Sequence, residues 1–309
     1  MSNISSLLEQ PQRWALGVEY DGQCYHGWQS QGAAPHAVGD RPAGVILPTV
    51  QDALESALAK IADGPVSVVC AGRTDAGVHA TGQVIHFDTV AQRPDTAWVR
   101  GVNAHLPASC AIRWAVPVPS DFHARFSATG RRYRYILLNR PERPAVFAGR
   151  AGWFHRPLDA DLMHDAAQLI LGTHDFSSFR AAECQANSPI RTITHTRVMR
   201  QGDWLVFDFA ANAFLQHMIR NLVGALVQIG KGGAPVTQMG EWLAHKDRTL
   251  ALREIAKMCR LNPGRLSWDK KGFARLNGSD ITYGQAMCVF GELKKRHIRY
   301  PQASVGKIN

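Results

Sequence analysis

The chain predicts an α+β fold of two similar halves, each running strand, helix, strand, strand, helix, strand. Helices pack on mainly antiparallel sheets that join across a central basic cleft. Three observations predict this. Apolar residues alternate with period two in a series of short runs, as half-buried strands require. Longer runs repeat apolar residues at three and four, the spacing of an amphipathic helix. Glycine, proline and aspartate punctuate the boundaries between them.

In order along the chain, residues 1–13 are polar and read as a leader. Residues 14–20 put Trp14, Leu16, Val18 and Tyr20 on one side and end at Asp21-Gly22, a turn signal. This is the first strand. Thr49-Val50-Gln51-Asp52 resembles a capping box with aspartate in the glutamate position, and Val50, Leu54, Ala57, Leu58 and Ile61 continue at helical spacing. Two short strands follow at 66–70 and 83–87, then a helix over 96–106 with Trp98, Val102 and Leu106 on one side, stopped by Pro107. A strand at 111–118 closes the half.

The second half repeats the order. Residues 131–138 alternate as a strand, and Asp159 opens a helix with Leu162, Ala166, Leu169 and Ile170 at three and four. Residues 192–208 read as a hairpin turning at Gln201-Gly202-Asp203. A long helix is expected over 214–229, ended by Gly230-Lys231-Gly232-Gly233. This rhythm is that of two ferredoxin-like or RRM-like units. The expected division is a half at 14–118, a half at 119–268 and an atypical basic tail at 269–309.

Composition narrows the partners. The 309 residues carry a formal net charge of +10, which suits a polyanion. Between His123 and Arg150 stand seven arginines (125, 131, 132, 134, 140, 143, 150) against one acid, Glu142, with Phe126, Tyr133, Tyr135 and Phe147 among them. Guanidinium and aromatic groups so mixed fit RNA backbone and base stacking, whereas a solvated strand face would need only the charges. The six cysteines are scattered without a Cys-x-x-Cys pair, so a reduced, cytoplasmic protein without structural zinc is expected. No apolar run is long enough to predict a membrane span, and no Walker A or Rossmann fingerprint points to a nucleotide cofactor.

The chemistry-bearing stretch is 71–82, where three glycines (72, 77, 82) punctuate eleven residues between two strands. Arg73 and Asp75 stand there one residue apart. Taken alone, they could be a solvated ion pair on a turn. The helix of 214–229 is apolar nearly all round, except that His217, Arg220 and Asn221 fall on one face with Gly224. A guanidinium on so apolar a helix needs a carboxylate partner, and Asp75 is the candidate. A rival reading takes Asp75, His79, His86 and Asp88 as metal ligands of a phosphoesterase, though their spacing matches no metal template.

Gly72-Arg73-Thr74-Asp75-Ala76-Gly77-Val78-His79, followed by Gly-Gln-Val-Ile-His-Phe, resembles the signature loop of the tRNA pseudouridine synthase A (TruA) family. The similarity continues through Phe122-His123-Ala124-Arg125-Phe126-Ser127-Ala128, Arg132-Tyr133-Arg134-Tyr135, Asp175-Phe176-Ser177-Ser178-Phe179-Arg180 and the segment from Asn212 to Asn221, covering about residues 14 to 250. The resemblance implies Asp75 as nucleophile and Arg220 as the arginine that contacts it. It implies Tyr133 as the tyrosine against the target base, with Tyr135 the competitor on the same face. It also implies Arg73 as the residue that takes the place of a flipped nucleotide, while His79, Arg125, Arg131 and Arg132 join the expected RNA-binding set. An isomerase without cofactor or metal follows, acting as a homodimer on uridines 38, 39 and 40 of the tRNA anticodon arm. The competing class is a non-catalytic RNA-binding protein with the same basic face.

Two departures from the family pattern stand out. Residues 31–48 carry three prolines and three glycines where the family has a shorter connection, and read as an inserted surface loop. The family closes with a Gly-Leu-Tyr-Leu-like strand soon after the equivalent of residue 250. Here that region reads Lys257-Met258-Cys259-Arg260-Leu261, with Leu266 a weak stand-in and a basic end at Lys294-Lys295-Arg296. An RNA-contacting extension, a disordered end or a shifted reading frame would each account for it.

Overall fold

The computed structural model describes residues 10–32, 44, 46–181 and 184–247, together with the backbone of 274–276, 279–281 and 287–293. Most of the expected leader, most of the 31–48 insert, Leu266 and Lys294-Lys295-Arg296 lie outside the described residues.

The first half holds strand β1 (Gln12–Tyr20), helix α1 (Val50–Ala62), and strands β2 (Val69–Cys70), β3 (Ala80–Thr89) and β4 (Cys110–Val118). A helical stretch with a π-helical turn at Ala97–Gly101 precedes β4. The alternation of β1 does what period two requires: Trp14, Leu16, Val18 and Tyr20 are buried with Leu54 and Leu58 of α1 and with Trp98 and Val102. Ala15 turns to the opposite face, into a small cluster with Ala71, Val84, Phe122 and Ala124. Thr49 caps α1 as its sequence foretells, its hydroxyl accepting from the Asp52 backbone N–H at 3.2 Å. Truncating a side chain such as Leu54 to alanine in this layer costs roughly 2–5 kcal/mol.

The second half holds β5 (Ala128–Asn139), β6 (Gly152–Phe154), α2 (Ala160–Gln168), β7 (Gly172–Asp175), β8 (Ile190–Gln201), β9 (Trp204–Ala211), α3 (Met218–Gly230) and α4 (Gln238–His245). Three further strands follow, β10 (Ala274–Leu276), β11 (Ser279–Ile281) and β12 (Met287–Leu293). Tyr135 and Leu137 of β5 are buried with Phe207 and Phe209 of β9 beneath α2, α3 and α4. Helix α3 starts at Met218, four residues later than its apolar pattern suggests, because His217 takes a left-handed conformation (φ 60°, ψ 5°) that no α-helix propagates.

Sheet topology ties the halves together. The order β4-β1-β3-β12-β5-β9-β8-β7 makes one sheet, with β2 added to β3 and β6 to β5, while β10 and β11 pair with each other. Within it the first half reads β4-β1-β3-β2 and the second β12-β5-β9-β8, the same permutation of strands. Strand β12 is therefore the fourth strand of the second half. It runs antiparallel to β5, with Cys288 opposite Tyr133, and meets β3 in parallel where Cys288 stands opposite Ala80. The expected α+β architecture of two sheet halves joined at the centre is the one found. Among the described residues no helix is long and apolar enough to cross a membrane.

Candidate active site

The turn between β2 and β3 is built backbone first. Gln83 clamps Gly72 from both sides, its amide donating to the Gly72 carbonyl at 2.5 Å and its oxygen accepting the Gly72 N–H at 3.3 Å. The segment at 20–28 then cradles the rest. Trp28 N–H donates to the Thr74 carbonyl at 2.9 Å, Gly77 N–H donates to the Tyr25 carbonyl at 3.3 Å, and the Tyr20 and Thr74 hydroxyls meet at 2.8 Å. The approach is so close that a Cβ on Gly22 would lie 2.2 Å from the Val78 oxygen. Thr74, Gly77 and Val78 are buried by this, and Arg73 and Asp75 point outward on either side of Thr74. Such a turn presents a carboxylate in a fixed direction.

The facing group comes from the second half. His217 Nε2 lies 3.5 Å from Asp75 Oδ2, with both side chains partly exposed. The pairing of Asp75 with Arg220 read from the helix face is not formed: Arg220 lies a turn further along α3 and makes no ion pair among the described residues. Residues 217 and 220 share a face, so spacing could not decide between them. The left-handed backbone of His217 does, because it turns the imidazole back toward the loop at the helix start. A non-glycine residue held there costs about 1–3 kcal/mol and persists where the surroundings fix it. Asn221 anchors the same turn, its amide donating to the Phe179 carbonyl at 2.8 Å.

Tyr133 sits at the seam, packed against both large cores and meeting Phe214 edge-on at 5.1 Å. Its neighbour Tyr135 is fully buried in the second core. The register of β5 thus separates the two tyrosines: one is accessible beside the helix start, the other is structural.

The arginines divide likewise. Arg73 is exposed and has no hydrogen-bond or ion-pair partner among the described residues. Arg131 spans the halves, donating to the Ala71 carbonyl at 2.7 Å and the Asn212 carbonyl at 2.9 Å. Arg132 reaches the other face of β5 and holds Asp208 with two bonds of 2.7 and 2.6 Å, joined by Arg134 at 3.1 Å. Burial pushes the Asp208 carboxyl up, but the two guanidiniums more than offset that and hold it below the ordinary range. Arg125 is exposed on the loop before β5.

His79 faces inward behind the turn that carries Asp75. Its Nδ1 is 3.2 Å from the Gly22 N–H and 3.0 Å from Asp21 Oδ1, and Asp21 in turn meets Arg150 of the second half at 3.2 Å. His86 accepts the Ala124 N–H at 3.1 Å, and burial takes its pKa down to about 4. Asp88 is bound by Arg13 at 2.7 Å. The four side chains of the metal reading are thus engaged in separate contacts, Asp75 with His217 and the other three as above. Among the described residues no three His, Cys, Asp or Glu side chains group as metal ligands.

Comparison with known proteins bears on this arrangement. The profile of the tRNA pseudouridine synthase family matches residues 18–127 and 166–261. A tRNA pseudouridine synthase A from Dechloromonas aromatica is 58% identical over 243 residues, 77% of this chain and 86% of its own. The protein of the same name from Klebsiella pneumoniae is 52% identical over 249 residues, 80% of this chain and 87% of its own. One from Escherichia coli is 53% identical over 237 residues, 77% of this chain and 83% of its own. A solved archaeal box H/ACA complex covers 69% of this chain and 44% of its own at 10% identity and a TM-score of 0.30, a likeness too slight to bear on the site.

Proposed function

The chain belongs to the tRNA pseudouridine synthase family, and from that premise we propose that it isomerises uridine to pseudouridine in the tRNA anticodon arm, at positions 38, 39 and 40. Asp75 is the nucleophile. The observation that carries this reading is one exposed carboxylate on a turn whose backbone is bound on both sides, met at 3.5 Å by an imidazole from the opposite half.

Each residue then has a task. His217, 3.5 Å from Asp75 Oδ2, keeps the carboxylate aimed for attack. Tyr133 offers a ring to the target base and a phenol able to relay the proton lost from C5. Arg73, free beside the nucleophile, fills the space left when the uridine swings out of its stem. Arg220 projects from the same helix one turn on, where its guanidinium can meet an RNA oxygen; Arg125 and Arg131 continue the basic path. The glycosidic bond breaks at N1 and reforms at C5 while a proton moves from C5 to N1, so every atom is conserved and no cofactor is called for. A homodimer would let a second subunit carry the rest of the tRNA.

The test is Asp75→Asn with purified tRNA. Pseudouridine formation should fall by at least about three orders of magnitude, with tRNA affinity within a few fold of wild type. Retained turnover removes Asp75 from its role. A wild-type protein that binds tRNA and forms no pseudouridine establishes the non-catalytic alternative.

A further inference from the structure

The loop between β4 and β5 holds a feature that the site around Asp75 does not use. Phe126 is 77% exposed. An exposed phenylalanine by itself needs no explanation, but this one is held in place. Phe122 and Ala124 are buried on the sheet face opposite α1, against Ala71 and Val84. Ser127 closes the turn, its N–H donating to the His123 carbonyl at 2.7 Å and its hydroxyl accepting the His123 N–H at 3.0 Å. The Phe126 N–H donates to His123 Nδ1 at 3.3 Å. The loop is thus a rigid mount with an aromatic ring at its tip.

The ring caps a pile. Phe126 stacks on His123 with centroids 4.3 Å apart and planes 26° from parallel, and His123 lies 4.8 Å from His86. Burial keeps His86 uncharged at the foot of the pile at neutral pH. Arg125 lies with its guanidinium carbon 5.7 Å from the Phe126 centroid. The mount is also tied to the catalytic turn: one Arg131 nitrogen donates to the Arg125 carbonyl at 3.4 Å and to the Ala71 carbonyl at 2.7 Å.

We propose that Phe126, with Arg125 beside it, is a stacking site for an unpaired nucleobase of the same RNA whose uridine is offered to Asp75. Every base has a flat π face, and a pre-stacked exposed ring accepts one without first ordering itself. The guanidinium next to it suits the phosphate that accompanies the base. Because Arg131 binds both loops, a base seated on Phe126 fixes the strand at a set distance from the carboxylate. This inference rests on the RNA-isomerase reading.

Phe126→Ala and Phe126→Trp test it, with steady-state kinetics on tRNA and direct tRNA binding by each protein in an Asp75→Asn background. Phe126→Ala should raise KM and Kd by about 5- to 150-fold, the range of one lost base–aromatic stack, with a smaller change in kcat and an unchanged melting temperature. Phe126→Trp should restore KM and Kd to within about threefold of wild type, and its indole fluorescence should be quenched by tRNA. Unaltered KM in Phe126→Ala overturns the inference, as does a loss that tryptophan does not rescue. A loss that tracks a shift from dimer to monomer in sedimentation also overturns it, by making Phe126 a subunit contact. A wild-type protein without synthase activity sinks the isomerase reading instead, a result distinct from an active wild type with a silent Phe126→Ala.

Discussion

The two halves share one strand permutation, yet they are completed differently. In the first, β4 follows soon after the helical stretch at Ala97–Gly101 and pairs with β1. In the second, the strand in the equivalent place is β12, far down the chain from α3, and it pairs with β5 while also touching β3. The first half is thus closed by a strand from within its own span and carries the Asp75 turn. The second is closed by a distant segment that is at the same time the seam. Closure of the second half and union of the two halves are therefore one event, and anything that disturbs β12 disturbs the relation of Asp75 to the wall facing it.

The sharpest way to break that comparison is to end the chain before Met287. Such a protein leaves β5 with an unpaired edge along residues 128–134. With net contributions of about 0.5–1.5 kcal/mol per lost hydrogen bond, it should lose on the order of 3 kcal/mol or more, and pseudouridine formation should fall at least about a hundredfold. A melt and an activity assay read both. An equally stable and active shortened chain would mean that β12 is not the second half's fourth strand.

That contrast also shows how much was legible in advance. Elements specified by their own side chains could be read directly. The alternation from Trp14 to Tyr20 and the Thr49 cap are local statements, and the structure agrees with them. Strand β12 could not be read in this way, because a strand at a seam is chosen by the partners on its two sides. The turn that carries Asp75 was legible because its Gly77 takes a left-handed φ of 79°, while Gly22 of the segment facing it leaves no room for a Cβ against Val78. The group facing Asp75 was not, since His217 and Arg220 occupy one helix face and only the backbone torsion at residue 217 tells which one turns to the carboxylate. His86 and Asp88, which sequence alone allows as ligands, are engaged by Ala124 and Arg13 once the strands are paired.

A second difference lies in how each half holds an acid. Asp208 is 2% exposed and shared by Arg132 and Arg134, whereas Asp88 is about half exposed and bound by Arg13 alone. Replacing both Arg132 and Arg134 by alanine strands a buried carboxylate and should cost roughly 3–5 kcal/mol. Asp208→Ala should cost less, about 2 kcal/mol, because the freed guanidiniums can turn to water. Asp88→Ala should cost under about 1 kcal/mol, its contribution being screened by solvent. Denaturant melts rank the three, and an Asp88 effect larger than that of Asp208 would reverse the comparison. Both carboxyls are held below their ordinary value of 3.8, Asp88 chiefly by its hydrogen bond to Arg13 and Asp208 by its two arginines against the pull of burial. A depressed folded pKa gives stability that is present above 3.8 and lost as pH falls below it toward the folded value. Between pH 7 and pH 5 neither acid should alter stability. Below pH 4 the wild type should weaken, and Asp208→Asn should flatten that decline more than Asp88→Asn.

The smallest effect on stability should accompany an effect on rate, and it comes where the two halves touch. His217 is held at φ 60°, a conformation glycine and asparagine adopt with little strain. His217→Gly removes about 1 kcal/mol of backbone strain and adds a similar entropy cost in the unfolded chain, so its melting temperature should stay within about 3 °C of wild type. His217→Asn keeps the helix start and loses the imidazole. If His217 only shapes the backbone, both variants should turn over like wild type. If it aims the carboxylate at 3.5 Å, both should lose about tenfold or more in kcat, equal to about 1.4 kcal/mol of transition-state stabilisation. Asp75→Asn already lacks the ionised group, so adding His217→Asn to it should cost nothing further, whereas additive losses would place His217 on the RNA instead.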